Sequence, residues 1–200
     1  MPVLGITGGI ATGKSTAVEC LLRHLPAERF DSDRCAHELL ESDDAAISAV
    51  REAFGPAVFS AENRISRPRL RELVFGSDER RKSLEGILHP LIRGRWLALA
   101  GKFRGRNEWA FVDIPLLFET GAEAHLDRTL TIACSPAVQY RRLREDRGLT
   151  DALIEKIIGA QLPLDAKIKK ADHVIWNDST VSCLDRQAGL LARWLTHYYG

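Results

Sequence analysis

The run Gly8-Gly9-Ile10-Ala11-Thr12-Gly13-Lys14-Ser15-Thr16 constrains this 200-residue chain more than any other. It has the spacing glycine, four residues, Gly-Lys-Ser, the pattern of a phosphate-binding loop. Val3-Leu4-Gly5-Ile6 precedes it as a short buried strand. Ser15 to Leu25 follows, with Val18, Leu21, Leu22 and Leu25 on one helical face. Strand, glycine loop and helix is the order a phosphate-binding unit needs. A helix start carries unpaired N–H groups and a partial positive charge. Glycines let that backbone wrap phosphate oxygens with no Cβ in the way. Lys14 would place a cation between the β- and γ-phosphates, and Ser15 would offer its hydroxyl to Mg²⁺.

Pro26 stops the first helix, and 29–33 (Arg-Phe-Asp-Ser-Asp) reads as a second strand ending in two carboxylates. In open α/β sheets ligands bind beyond the carboxyl ends of the strands. Asp31 and Asp33 are therefore either site residues or the cap of the next helix, a turn or two over 35–40. A helix over 44–54 stops at Gly55. From 64 to 106 the chain is helical and basic. Ser66 caps one helix; a second covers about 79–88 and ends at His89-Pro90; a third carries Leu91, Ile92, Trp96, Leu99 and Phe103. Its many arginines form solvated helix faces or a lobe attracting a polyanionic small substrate. Aromatic side chains do not interleave with the charges, which argues against a nucleic-acid platform.

Further strands are predicted over 109–114, 128–133 and 173–177. Asp113 ends the first of these, where a carboxylate near Mg²⁺ or its water shell would be found. A basic helix over 137–147 and a second helix from Thr150 to Leu162 form a hairpin. It is an exposed charged element or a lid that neutralises transferring charge. The closing helix, 180–199, would bury Val181, Leu184, Ala188, Leu191, Leu195 and Tyr198. Five strands alternating with helices predict a mainly parallel sheet covered on both faces, with the basic helices inserted. No bilayer-spanning run or basic-apolar leader is read, and four scattered cysteines make no Cys-x-x-Cys pair. These features predict a cytoplasmic protein with reduced thiols. Net charge is +1, so bulk attraction to nucleic acid or membrane is not implied.

The loop, Asp31-Ser32-Asp33 with 36–39 (Ala-His-Glu-Leu), Leu88-His89-Pro90 and 113–119 (Asp-Ile-Pro-Leu-Leu-Phe-Glu) together resemble the dephospho-coenzyme A kinase family. Gln161-Leu162-Pro163-Leu164 with Lys167, and 171–177 (Ala-Asp-His-Val-Ile-Trp-Asn), extend the resemblance over essentially the whole chain. It implies transfer of the γ-phosphoryl of ATP to the ribose 3′-hydroxyl of dephospho-coenzyme A, with Mg²⁺. It implies an α/β P-loop NTPase fold like that of nucleoside monophosphate kinases: three α/β/α layers, a five-stranded parallel sheet, a helical substrate lobe and a lid. The core would cover about 1–60, 107–136 and 171–200, the lobe 61–106 and the lid 137–165. Asp33 matches the family's base and Arg142 an arginine of its lid, so Asp33, Lys14 and Arg142 are the catalytic candidates. ATP would engage Gly8, Gly9, Ala11, Thr12, Gly13, Lys14, Ser15, Thr16 and Asn177. Dephospho-coenzyme A would engage Asp33, His89, Asp113, Leu116 and Gln161. No nucleic-acid or membrane partner is implied, and the expected state is a monomer or weak homo-oligomer.

Two departures stand out. The family usually has Gly-Ser at 11–12, where this chain has Ala11-Thr12, and the Ala11 Cβ predicts φ below zero. A second lid arginine usually lies four residues after 142. Here Asp146 stands there, between the neighbouring candidates Arg144 and Arg147. The rival readings are another P-loop kinase acting on a nucleoside, nucleotide or shikimate-like acceptor, a GTPase switch, and a nucleic-acid binder. The switch lacks an Asn-Lys-x-Asp signature.

Overall fold

The computed structural model describes residues 2–106 and 108–199. They form two compact units, residues 1–30 with 99–200, and residues 31–98.

The first unit holds a five-stranded sheet: β1 (Val3–Gly8), β2 (Ala27–Asp31), β3 (Trp109–Asp113), β4 (Arg128–Ala133) and β5 (His173–Trp176). Their order is β2-β3-β1-β4-β5. β1 pairs parallel with both β3 and β4, and β4 pairs parallel with β5. β1 and β3 are buried along their whole length, as continuous apolar strands covered on both faces are. In their register Ile6 lies opposite Asp113, so the loop after β1 and the end of β3 emerge side by side. This is the crevice where an open α/β sheet binds ligands.

Helix α1 (Lys14–His24) packs on the sheet through Ala17, Val18, Cys20 and Leu21. Against it lies the last helix, which runs Val181–Tyr199 and buries Leu184, Ala188, Gly189, Ala192 and Leu195. Val181 and Tyr198, expected inward, are 59% and 61% exposed. Tyr199 turns in instead, edge-on to Trp109 with its ring under the Arg128 guanidinium. From Leu195 the next inward position is either three or four residues on, and here the step of four brings Tyr199 to the buried Trp109 while Tyr198 stays exposed beside Trp194.

The second unit contains α2 (Ser32–Ser42), α3 (Asp44–Phe54), α4 (Arg67–Phe75) and most of α5 (Asp78–Phe103). It begins at Asp31, about thirty residues before the lobe expected at 61. Val50, Val58, Phe59 and Leu70 form its core, with Leu40, Ile47 and Leu84 packed against them. The strand expected to reach Asp33 ends at Asp31, whose side chain caps α2 by accepting from the amides of Asp33 and Arg34, both at 3.0 Å. An eleven-residue helix replaces the expected turn or two. The break expected at His89-Pro90 is absent: α5 continues with Pro90 inside it. Proline removes one helical hydrogen bond. The apolar stripe nevertheless crosses it unbroken through Leu88, Trp96, Ala100 and Phe103, all buried, and that burial outweighs the lost bond.

The hairpin of the first unit begins with α6 (Pro136–Arg141), capped by Ser135 Oγ accepting from the Val138 amide. A π-helical turn over Arg142–Asp146 follows, where an ordinary helix was expected through 147. Then come α7 (Asp151–Gly159), shorter than the helix expected to reach Leu162, and α8 (Leu164–Lys170). Pro163 separates the two and sets the start of the second. The helix 181–199 is α9. No helix among the described residues is long and apolar enough to cross a membrane. Cys20, Cys35, Cys134 and Cys183 are all free thiols, and burial raises the pKa of Cys35 and Cys134.

Candidate active site

The loop from Gly8 to Gly13 joins β1 to α1, and side chains from distant segments fix its shape. Gln139 Nε2 donates to Ile10 O at 2.7 Å, Arg142 Nη1 to Ala11 O at 3.2 Å, and Asn177 Nδ2 to Thr12 O at 2.8 Å. Gln161 Oε1 accepts from the Ile10 amide at 3.1 Å. Three consecutive carbonyls are thus each held by a side chain. A planar trans peptide turns its N–H opposite to its C=O, so the amides of Ala11 and Gly13 point away from the side chains that hold Ile10 O and Thr12 O, while the Thr12 amide donates to Gly9 O at 3.4 Å. The Ala11 and Gly13 amides join the first amides of α1, which have no acceptor within the helix. That first turn carries no acidic residue to compete with an anion.

Gly13 has φ +82°, and a Cβ there would lie 2.2 Å from Asn177 Nδ2. A Cβ on Gly8 would come within 2.7 Å of Ile132 O. Ala11 corrects the sequence expectation, because its φ is +58°, not negative. That value falls in the small left-handed region open to L-residues, at a cost of about 1–2 kcal/mol. The Arg142 bond to Ala11 O helps to hold it.

Lys14 Nζ contacts Asp113 Oδ1, and Arg29 Nη2 lies 3.3 Å from Asp113 Oδ2. Asp113 is 2% exposed, so each oxygen of a buried carboxylate faces a cation. Ser15 is exposed and Thr16 half-buried on the first turn of α1. Ser15 could lend one oxygen to a metal. No group of three or more His, Cys, Asp or Glu side chains suited to a metal occurs among the described residues.

Behind the loop after β3, Lys167 is fully buried. Its Nζ lies 2.8 Å from Glu119 Oε1 and donates to Pro115 O at 2.9 Å. Thr7 Oγ1 also donates to Pro115 O, and Glu119 Oε1 accepts from the Leu162 amide. Leu116, half-buried between these anchors, bonds through its carbonyl to Thr120.

The first unit therefore gathers Gly8, Gly9, Ala11, Thr12, Gly13, Lys14, Ser15, Thr16, Asp113, Arg142, Gln161 and Asn177 in or around one loop. Asp33 and His89 belong to the second unit, Asp33 exposed in the first turn of α2 and His89 half-buried within α5. Arg142 also donates to Asn177 O at 3.0 Å, while Arg144 pairs with Asp151 at 2.6 Å. Within the basic lobe, Arg69 donates to Phe59 O, Arg81 pairs with Asp78 and Arg95 with Asp43. Those arginines serve the unit's own structure. Sequence reasoning missed Arg29 and Gln139 as parts of the site. A lone polar residue in a strand or helix carries no spacing signal; only the fold shows what it reaches.

The chain matches the model of dephospho-CoA kinase over residues 2–182. It belongs to the dephospho-CoA kinase family. A dephospho-CoA kinase of Geobacillus kaustophilus is 37% identical over 193 residues, 96% of each chain. The structure of a dephospho-CoA kinase from Campylobacter jejuni superposes with a TM-score of 0.68 at 26% identity, covering 96% of both chains. A shikimate kinase from Acinetobacter baumannii, solved with shikimate, gives a TM-score of 0.56 at 12% identity over 100% of this chain and 95% of that one. That likeness concerns the P-loop kinase fold alone. Members of the dephospho-CoA kinase family transfer phosphate from ATP, the task for which a glycine loop at a helix start is suited.

Proposed function

We propose that this chain phosphorylates the ribose 3′-hydroxyl of dephospho-coenzyme A with ATP, releasing coenzyme A and ADP. The observation carrying this reading is the loop whose three successive carbonyls are each tied by a side chain, in a chain matching the family over 2–182. Phosphoryl transfer asks a protein mainly for alignment and charge neutralisation. The loop amides and Lys14 would hold the β- and γ-phosphates. Ser15 would hold Mg²⁺, which when bound offsets charge on the phosphate oxygens. Asn177 and Arg142 would keep the nucleotide cradle in shape, with Arg142, 3.2 Å from Ala11 O, close enough to the loop to serve the transferring group. Asp33 would accept the proton of the ribose hydroxyl, with His89, Asp113, Leu116 and Gln161 on the acceptor side. We place the activity in the cytoplasm, a reducing compartment that suits four free thiols, and in a monomer or weak homo-oligomer.

The deciding assay is ADP release with ATP and Mg²⁺, with and without dephospho-coenzyme A. Release that depends on this acceptor is expected. Equal release without it, or transfer to shikimate or a nucleoside instead, would reject the reading. Asp33→Asn is expected to lower kcat by about 10²–10⁴, the usual contribution of a general base, with KM for ATP nearly unchanged. An unaltered kcat would leave Asp33 as a first-turn helix residue only.

A further inference from the structure

We infer that Arg29 is a positioning residue for nucleotide binding: it holds the Asp113 carboxylate so that Lys14 can be given over to the phosphates. This rests on the reading of the loop as the ATP site. Asp113 sits at the end of β3 with almost no access to water, and its two oxygens are divided between two cations. Lys14 takes Oδ1 from the loop side, and Arg29 takes Oδ2 from β2. All three residues lie in the first unit, on strands and a helix start that the sheet register fixes.

The two cations are not equivalent. Lys14 opens α1, directly after the left-handed Gly13, and is the cation nearest a phosphate on the loop amides. Arg29 is anchored on an edge strand. An ammonium that shifts toward phosphate withdraws from Asp113. Were it the only partner, a buried carboxylate would be stranded without compensation beside an arriving polyanion, and that is strongly unfavourable. Arg29 keeps its hold on the other oxygen, so the carboxylate stays paired throughout. A guanidinium suits this task because its charge is permanent and its donors are fixed in a plane. Arg29 acts through Asp113 and Lys14 and need not touch the substrate.

The test is titration with ADP in EDTA, which removes metal from the comparison, followed by calorimetry on wild type and variants. Arg29→Met is expected to weaken ADP binding on the order of tenfold, within the usual range of coupling between sites. In an Asp113→Asn background no carboxylate is left to strand, so Arg29→Met should then change affinity by less than about twofold, the signature of direct coupling in a double-mutant cycle. Arg29→Lys keeps the charge and is expected to retain affinity within about threefold of wild type. An unchanged Kd for Arg29→Met, an equal loss in both backgrounds, or a lysine variant as weak as the methionine one would each overturn the inference. Should Arg29→Met fail to fold, the comparison of Arg29→Lys with Arg29→Gln decides on the same criterion of charge. Wild type that binds ADP yet transfers nothing to dephospho-coenzyme A would sink the proposed reaction and leave the role of Arg29 standing.

Discussion

Glu119→Leu is expected to cost about 3–5 kcal/mol of folding stability, the penalty for stranding a buried charge. Lys167 is wholly enclosed, and its ammonium has Glu119 at 2.8 Å and the Pro115 carbonyl at 2.9 Å. Leucine removes the anion that this ammonium pairs with. The reverse change, Lys167→Met, should cost less. Glu119 keeps a 19% exposed side chain that water can reach, and it still accepts from the Leu162 amide. Pro115 O also keeps the Thr7 hydroxyl. The double variant should recover much of the loss, because an apolar pair strands nothing. In a chain of this size the single Glu119 change corresponds to a fall in Tm on the order of 10 °C. Urea unfolding of the three variants measures the order directly. A Glu119 variant no worse than the Lys167 variant would show that Lys167 finds another partner.

Gly13→Ala is expected to reduce ATP affinity at least about tenfold. Two costs add. The left-handed φ of +82° is unfavourable for alanine by about 1–2 kcal/mol, and the new Cβ would press on the Asn177 amide at 2.2 Å. Asn177 cannot yield freely, since its side chain holds Thr12 O and its carbonyl receives Arg142. Losing the Thr12 bond adds about 1–3 kcal/mol. Gly121→Ala separates the two costs. Gly121 has φ +65° with nothing within 4 Å of the added Cβ, so it carries the backbone strain alone and should leave ATP binding untouched. Equal losses of affinity in both variants would remove the clash from the explanation.

The loop and its flanking strand and helix were legible because glycine, lysine and serine at fixed offsets, next to an apolar run, leave few other folds. The parallel sheet was legible for a similar reason, since each strand is a short apolar segment bounded by breakers. Pro90 misled because a local rule about one missing N–H competes with an apolar stripe from Leu88 to Phe103 of a 26-residue helix, and the stripe is the larger energy. Asp31 was ambiguous by its chemistry: a carboxylate after a strand can meet a ligand or cap a helix, and here it caps. Ala11 adopts positive φ because the surrounding side chains, not its own Cβ, dictate the loop. Arg29 was silent in the sequence because its partner Asp113 lies 84 positions away, and Lys167, picked out by the resemblance, gave no sign of its pairing with Glu119, 48 positions away.

The π-helical turn over Arg142–Asp146 alters how the arginines after it are to be counted. Such a turn closes between a residue and the fifth one on, where an α-helix closes at the fourth. One more residue is spent on each revolution, and the face below Arg142 is reached one position later. Counted in fives from Arg142, the next position is Arg147 rather than Asp146, and both side chains are exposed. A linear comparison that steps by four across this widened coil lands on an aspartate, and one that steps by five lands on an arginine.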